Sequence, residues 1–183
     1  MRVALLGFMA AGKSTVGPLL AEKLAVPFLD TDELIEQKAG ESIPRIFSHY
    51  GEEYFRALEK EVLVAVIAGS TDFVLATGGG IVLSAENRSL LLEKTFPVLL
   101  TATPEVIYNR IKGEGGRPLL EVENPRTKIA ELLKSRNKYY NDFPHAISTG
   151  QKSPQKICLE IISLLREESG GEMENIIKSK GKL

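Results

Sequence analysis

The chain has 183 residues, 43% hydrophobic and 26% charged, with a formal net charge of −1. That is enough for one well-packed domain with a little left over for lids or tails. A near-neutral balance gives no basis for a nucleic-acid or anionic-membrane partner, and no apolar run approaches the length that spans a bilayer. The single cysteine, Cys158, rules out an internal disulfide. It lies in an apolar helical stretch, Ile157 to Ile162, where it reads as a small buried hydrophobe rather than a nucleophile. The first apolar run begins almost at Met1, which leaves no room for a signal or transit peptide. A cytoplasmic protein is expected.

Val3-Ala4-Leu5-Leu6 is a continuous apolar run of the kind that forms a buried parallel strand. Gly7-Phe8-Met9-Ala10-Ala11-Gly12-Lys13-Ser14-Thr15 follows and fits the phosphate-binding pattern G-x-x-x-x-G-K-[ST]. A helix then begins, with Val16, Leu19, Leu20 and Leu24 at helical spacing. Gly7 and Gly12 let main-chain N–H groups approach phosphate. The helix start adds unpaired donors and partial positive charge. Lys13 is placed for the β- and γ-phosphates and the Ser14 hydroxyl for Mg²⁺. With glycine near 7% of residues, a chance match in such a chain is about 1%, so nucleotide binding is expected here.

Val26 to Asp30 is a short second strand, and Thr31, read as an N-cap, starts the next helix. Asp30 and Asp32 thus fall at the carboxyl end of a strand, where open α/β sheets hold ligands. A P-loop site needs a carboxylate for its metal, and Asp30 is the candidate. Asp32 reads equally as a helix-capping acid. Gly40 to Pro44 breaks the chain; a short helix from Ile43 to Tyr50 and a longer one from about Glu52 to Ala68 are expected, parted by Gly51. From position alone Arg56 is a solvated helix charge near Glu59, and His49 a surface residue.

A third strand, Asp72 to Thr77, ends in Gly78-Gly79-Gly80, which suits a ligand that must come close to the main chain. Ser84 caps a helix to about Lys94, Phe96 to Thr101 forms the fourth strand, and Thr103-Pro104 starts a helix carrying Arg110. The glycine-flanked segment from Lys112 to Asn124, with Arg117 on it, reads as a mobile lid. Pro125 opens a helix to about Tyr140 that carries Arg136; a fifth strand runs from His145 to Thr149, and a last helix from Ser153-Pro154 to about Arg166. Residues 167–183 are polar and glycine-rich, and a disordered tail is expected. Five strands alternating with helices give an α/β fold, a mostly parallel sheet with helices on both faces, within a single domain of residues 1–166.

These marks together resemble the shikimate kinases: the P-loop, Asp30-Thr31-Asp32, Phe55-Arg56 with Glu59, Gly78-Gly79-Gly80, Arg117-Pro118-Leu119-Leu120 and Arg136. The likeness covers residues 1 to about 166. It implies a P-loop kinase fold with strand order 2-3-1-4-5, a substrate-binding segment at about 32–61 and a lid at about 112–124. It implies transfer of the γ-phosphate of ATP to the 3-hydroxyl of shikimate, in aromatic amino-acid biosynthesis. By the same resemblance Lys13, Asp32 and Arg117 are catalytic. Ala10, Ala11, Gly12, Lys13, Ser14 and Thr15 hold ATP, with Arg110, Arg117 and Pro154. Asp32, Arg56, Gly78, Gly79, Gly80 and Arg136 hold the acceptor, and Ser14 and Asp30 the Mg²⁺. ATP and shikimate are then the only partners expected, with no nucleic acid or membrane, and the enzyme is expected to be a monomer. Position 10 is alanine where the family often has glycine, a departure that matters if the backbone there needs a positive φ.

Two other readings remain at this level. Another small-molecule P-loop kinase, such as a gluconate kinase, would also bind a carboxylate and hydroxyls. A nucleotide-binding regulator would bind ATP with no acceptor.

Overall fold

The structure, a computed structural model, describes residues 1–69, 71–112 and 124–168. Arg117 to Leu120, the expected lid between Lys112 and Asn124, and the tail from 169 onward lie outside the described residues. Five parallel strands form one sheet in the order β2-β3-β1-β4-β5. They are β1 (Arg2–Leu6), β2 (Phe28–Asp30), β3 (Phe73–Ala76), β4 (Phe96–Thr101) and β5 (His145–Ser148). The helices between them are α1 (Lys13–Leu24), α2 (Thr31–Ala39), α3 (Ile43–Ala68), α4 (Ala85–Lys94), α5 (Pro104–Ile111), α6 (Pro125–Tyr140) and α7 (Pro154–Glu168).

The strand pleat sorts the core into two layers. Val3 and Leu5, with Val74, Val98 and Leu100, pack against α1 and α7. Ala4 and Leu6, with Leu75 and Leu99, point the other way, onto α3, α4 and α6. Both faces are covered, which is why the strands read as unbroken apolar runs. A third cluster, Ile35, Ile46, Phe55, Leu58 and Val62, belongs to α2 and α3 alone. Residues 32–61 thus carry apolar packing of their own beside the sheet.

The register brings the strand ends level. Leu5 pairs with Ala76, Asp30 with Ala76, and Leu6 with Leu99. The loops after β1, β2 and β3 therefore leave the sheet from one edge. Gly7 marks the exit from β1, with φ 141°. A Cβ there would stand 2.3 Å from the Leu100 carbonyl oxygen.

The break expected at Gly51 is present: two helical segments of α3 meet there at a kink, where Gly51 takes φ 81° and ψ 177°. Several other boundaries differ from the sequence reading. Asp30, not Thr31, caps α2, its carboxylate accepting from the Asp32 N–H at 2.9 Å. β3 starts at Phe73, one residue later than expected, and the Asp72 carboxylate pairs with the N-terminal amine of Met1. β5 stops at Ser148, and Thr149 is drawn inward, donating from its hydroxyl to the Ala11 carbonyl at 2.8 Å. The last helix runs two residues beyond Arg166; its final carboxylate, Glu168, meets His145 Nε2 at 3.0 Å.

The Gly7 contact is with main chain, so no side-chain rotation relieves it. Gly7→Ala is expected to cost more than about 3 kcal/mol, read as a fall in the urea midpoint.

Candidate active site

Two adjoining clefts open at the carboxyl edge of the sheet and share Ala10, Lys13 and Ser14. One, of about 510 Å³, is bordered by Gly12, Thr15, Arg110, Thr149, Lys152 and Pro154. The other, of about 350 Å³, is bordered by Asp30, Asp32, Arg56, Glu59, the glycines 78–80 and Arg136.

The P-loop is held from several sides. Lys13 is buried, and its ammonium donates to the carbonyls of Gly7 and Phe8 at 2.9 and 3.0 Å. Ala10 adopts φ 56°, the left-handed region. For an alanine this costs roughly 1–2 kcal/mol, so the departure from glycine leaves real strain in the loop. Arg110 braces that residue. Its Nη1 donates to the Ala10 carbonyl at 2.8 Å and its Nη2 to the Thr149 carbonyl at 2.8 Å. Arg110 and Pro154, sequence-distant candidates, thus border one cleft with the loop.

Beside the loop the Ser14 hydroxyl donates to Asp30 Oδ2 at 2.9 Å. A hydroxyl and a carboxylate oxygen are the hard donors that Mg²⁺ prefers, and this ion keeps several waters and takes substrate phosphates besides one or two protein ligands. Among the described residues no group of three or more His, Cys, Asp or Glu is placed to hold a metal by itself. The Ser14–Asp30 pair therefore fits an ion that arrives with a nucleotide.

The second cleft is built around the glycine turn. The Gly78 N–H donates to Thr31 Oγ1 at 2.7 Å, which is the role Thr31 has instead of capping. The Arg56 guanidinium lies so close to Gly80 that a Cβ there would meet its Nη1 at 2.3 Å. Arg56 is tied to Glu59 Oε2 at 2.9 Å and to Glu52 Oε1 at 3.0 Å. Arg136 is 3% exposed, donates to the Gly79 carbonyl at 2.9 Å and stands over the Phe8 ring. Two arginines thus flank one turn of main chain, which neither position alone could suggest.

Glu59 is the residue that the sequence reading left out of its site. It is 1% exposed, and its Oε1 has no hydrogen-bond partner; nor has Asp32 Oδ1. Both orphaned oxygens come within 3 Å of the point where a Cβ on Gly78 would stand, at 2.7 and 2.8 Å. Buried acceptors without donors are costly. A side chain on Gly78 would collide with both, so this close approach requires glycine. The available signal was the pairing of Glu59 with Arg56 three residues earlier on one helix face.

Burial, with the neighbouring charge of Asp30 adding to it, lifts the Asp32 carboxyl from 3.8 to about 6, against the pull of Lys13. Burial raises Glu59 as well, opposed by Arg56. Asp32 is thus poised near neutrality, where a group can accept a proton from a reacting hydroxyl.

A parallel sheet with a P-loop after its first strand, and an acid-and-arginine pocket beside it, defines a nucleotide-dependent phosphotransferase for a small polar acceptor. The sequence model of the shikimate kinase family matches residues 9–166. The shikimate kinase of Geobacter sulfurreducens is 46% identical over 165 residues, 90% of this chain and 91% of that one. A solved shikimate kinase from Acinetobacter baumannii, in complex with shikimate, superposes with a TM-score of 0.87 at 39% identity, covering 91% of this chain and 93% of that one. This chain belongs to the shikimate kinase family. A gluconokinase from Sinorhizobium meliloti, at 14% identity and a TM-score of 0.54, shares the fold alone.

The raised Asp32 pKa has a consequence for stability. Between pH 3.8 and about 6 the native protein keeps a proton that the unfolded chain has lost, so stability falls as the pH rises through that window. Asp32→Asn is expected to raise the unfolding free energy of the ligand-free protein at pH 7.5, by up to about 3 kcal/mol. The gain should shrink as the pH is lowered towards 4. An equal gain at both pH values in urea titrations would rule out charge burial as its source.

Proposed function

We propose that this protein transfers the γ-phosphate of ATP to the 3-hydroxyl of shikimate, giving shikimate 3-phosphate and ADP on the route to chorismate and the aromatic amino acids. One observation carries the reading. Lys13 and Ser14 open onto the same cleft as Asp32, Glu59, Arg56 and Arg136. Shikimate is one carboxylate and three hydroxyls on a small ring. Arginine forks suit the carboxylate, and the Asp32 and Glu59 carboxyl groups on the cleft wall suit hydroxyl donors.

In this reading ATP lies along the P-loop, Ala10 to Thr15, with its base beside Arg110 and Pro154. Ser14 and Asp30 hold Mg²⁺, which neutralises phosphate charge when bound. Arg56 and Arg136 grip the acceptor carboxylate, and the turn Gly78 to Gly80 brings main chain against the ring. Asp32 accepts the proton of the attacking hydroxyl, and Lys13 meets the charge that develops on the transferred group. Arg117, on the proposed lid of residues 112–124, meets the same charge; by analogy with arginine fingers its loss would cost about 10³ or more in rate. The proposal includes a cytoplasmic monomer. Among the described residues no helix is long and apolar enough to cross a membrane.

ADP release from MgATP, with shikimate, gluconate and a nucleoside monophosphate offered separately, tests the assignment. Turnover is expected with shikimate alone; turnover with gluconate and not shikimate would sink it. Arg136→Ala is expected to raise the KM for shikimate about a hundredfold with the KM for ATP nearly unchanged. An equal loss for both substrates would mean that Arg136 serves the P-loop rather than the acceptor.

A further inference from the structure

Arg88 on α4 stands outside both clefts, yet it joins two of the elements that form the acceptor site. The turn from Gly78 to Leu83 begins with three glycines and so has no side chains of its own to fix its first half. Its main chain is fastened from outside: to Thr31 at the Gly78 N–H, and to Arg136 at the Gly79 carbonyl. The next fastening is Arg88, whose Nη1 donates to the Val82 carbonyl at 2.8 Å. The same guanidinium donates from Nε to Asp142 Oδ2 at 2.7 Å, just past the end of α6, and lies 4.7 Å over the Tyr139 ring. One planar fork thus ties the short turn Ile81–Leu83 to the C-terminal end of the helix that carries Arg136.

We propose that Arg88 is a positioning residue for the acceptor site: with Asp142 it latches the glycine turn to α6 and so fixes where Arg136 stands. The proposal rests on the assignment of Arg136 to the acceptor carboxylate. The Arg136 guanidinium already spans from α6 to the Gly79 carbonyl, so a slip of α6 against the turn moves both ends of that contact. Displacements of about 1 Å in positioning groups can cost two orders of magnitude. Arg88 is 16% exposed and Asp142 45%, so solvent screens the ion pair in part, and the hydrogen bond to the Val82 carbonyl is the more buried half of the tie.

Arg88→Ala is expected to raise the KM for shikimate about tenfold, with kcat and the KM for ATP within about twofold. Arg88→Lys, which keeps a charge for Asp142 and loses the fork, should recover part of the loss. Asp142→Asn should shift the KM in the same direction by less, and Arg88→Ala combined with Asp142→Asn should be no worse than Arg88→Ala alone. A lowered melting temperature with an unchanged KM for shikimate would overturn the proposal, as would equal rises for both substrates. Amide hydrogen exchange gives a readout that needs no acceptor. In Arg88→Ala, exchange should speed up in residues 78–83 and in α6 and stay constant in the P-loop; unchanged exchange there would show that no latch exists. If the unaltered protein fails to turn over shikimate, the functional assignment falls, and the exchange result still decides whether Arg88 holds turn and helix together.

Discussion

Burying the Glu59 carboxylate with only one of its two oxygens paired is the constraint on which the acceptor side of this protein depends. Taking a carboxylate out of water costs several kcal/mol even after relaxation. Arg56 offsets part of that through Oε2. The other oxygen faces a turn stripped of side chains at Gly78, next to an Asp32 oxygen in the same condition. A side chain at Gly78 would collide with both oxygens, so glycine is what lets the two carboxylates approach the turn this closely. The cleft beside them is bordered by Lys13, Arg56 and Arg136 as well, so acids and bases meet on one wall.

The donor side of the protein is arranged by the sheet. Parallel strands of matched register end together, so the P-loop after β1, the Asp30 cap after β2 and the glycine turn after β3 share one edge. Arg110 then reaches across to the strained Ala10 carbonyl, and Thr149 closes the same network through Ala11. The sheet edge presents the P-loop, while α2 and α3, with apolar packing of their own, carry Asp32, Arg56 and Glu59 to the second cleft.

Much of this was legible in local pattern. The P-loop spacing, the pairing of a Ser14 hydroxyl with an acid at the next strand end, the sheet order and the break at Gly51 all follow from residues close in sequence or from a resemblance carried by them. The features that position alone left bland or misassigned have partners far away. Thr31 looks like a cap because its neighbours are helix-forming, and its true partner is Gly78, 47 residues on. Arg56 looks solvated because its helix is polar nearby, whereas Gly80 and a buried Glu59 enclose it. Arg136 is bland until the fold sets it 57 residues back along the chain, on the Gly79 carbonyl. Arg88 gave no local signal, since its partners are a carbonyl and a carboxylate that no periodicity marks. Hydrogen bonds across such separations are set by topology, and topology is what a single sequence shows least.

The central place of β1 in the sheet also bears on how the chain is made. β1 precedes the other strands in the chain, but its neighbours are β3 and β4, so Arg2 waits for Phe73 and Val3 for Phe96. At 5–20 residues per second that delay is on the order of ten seconds. Until then its main-chain groups lack their strand partners, and its apolar side chains have only α1, β2, α2 and α3 to pack against. The central strand of the sheet is therefore completed only after more than half of the chain exists, although it is made before every strand it pairs with.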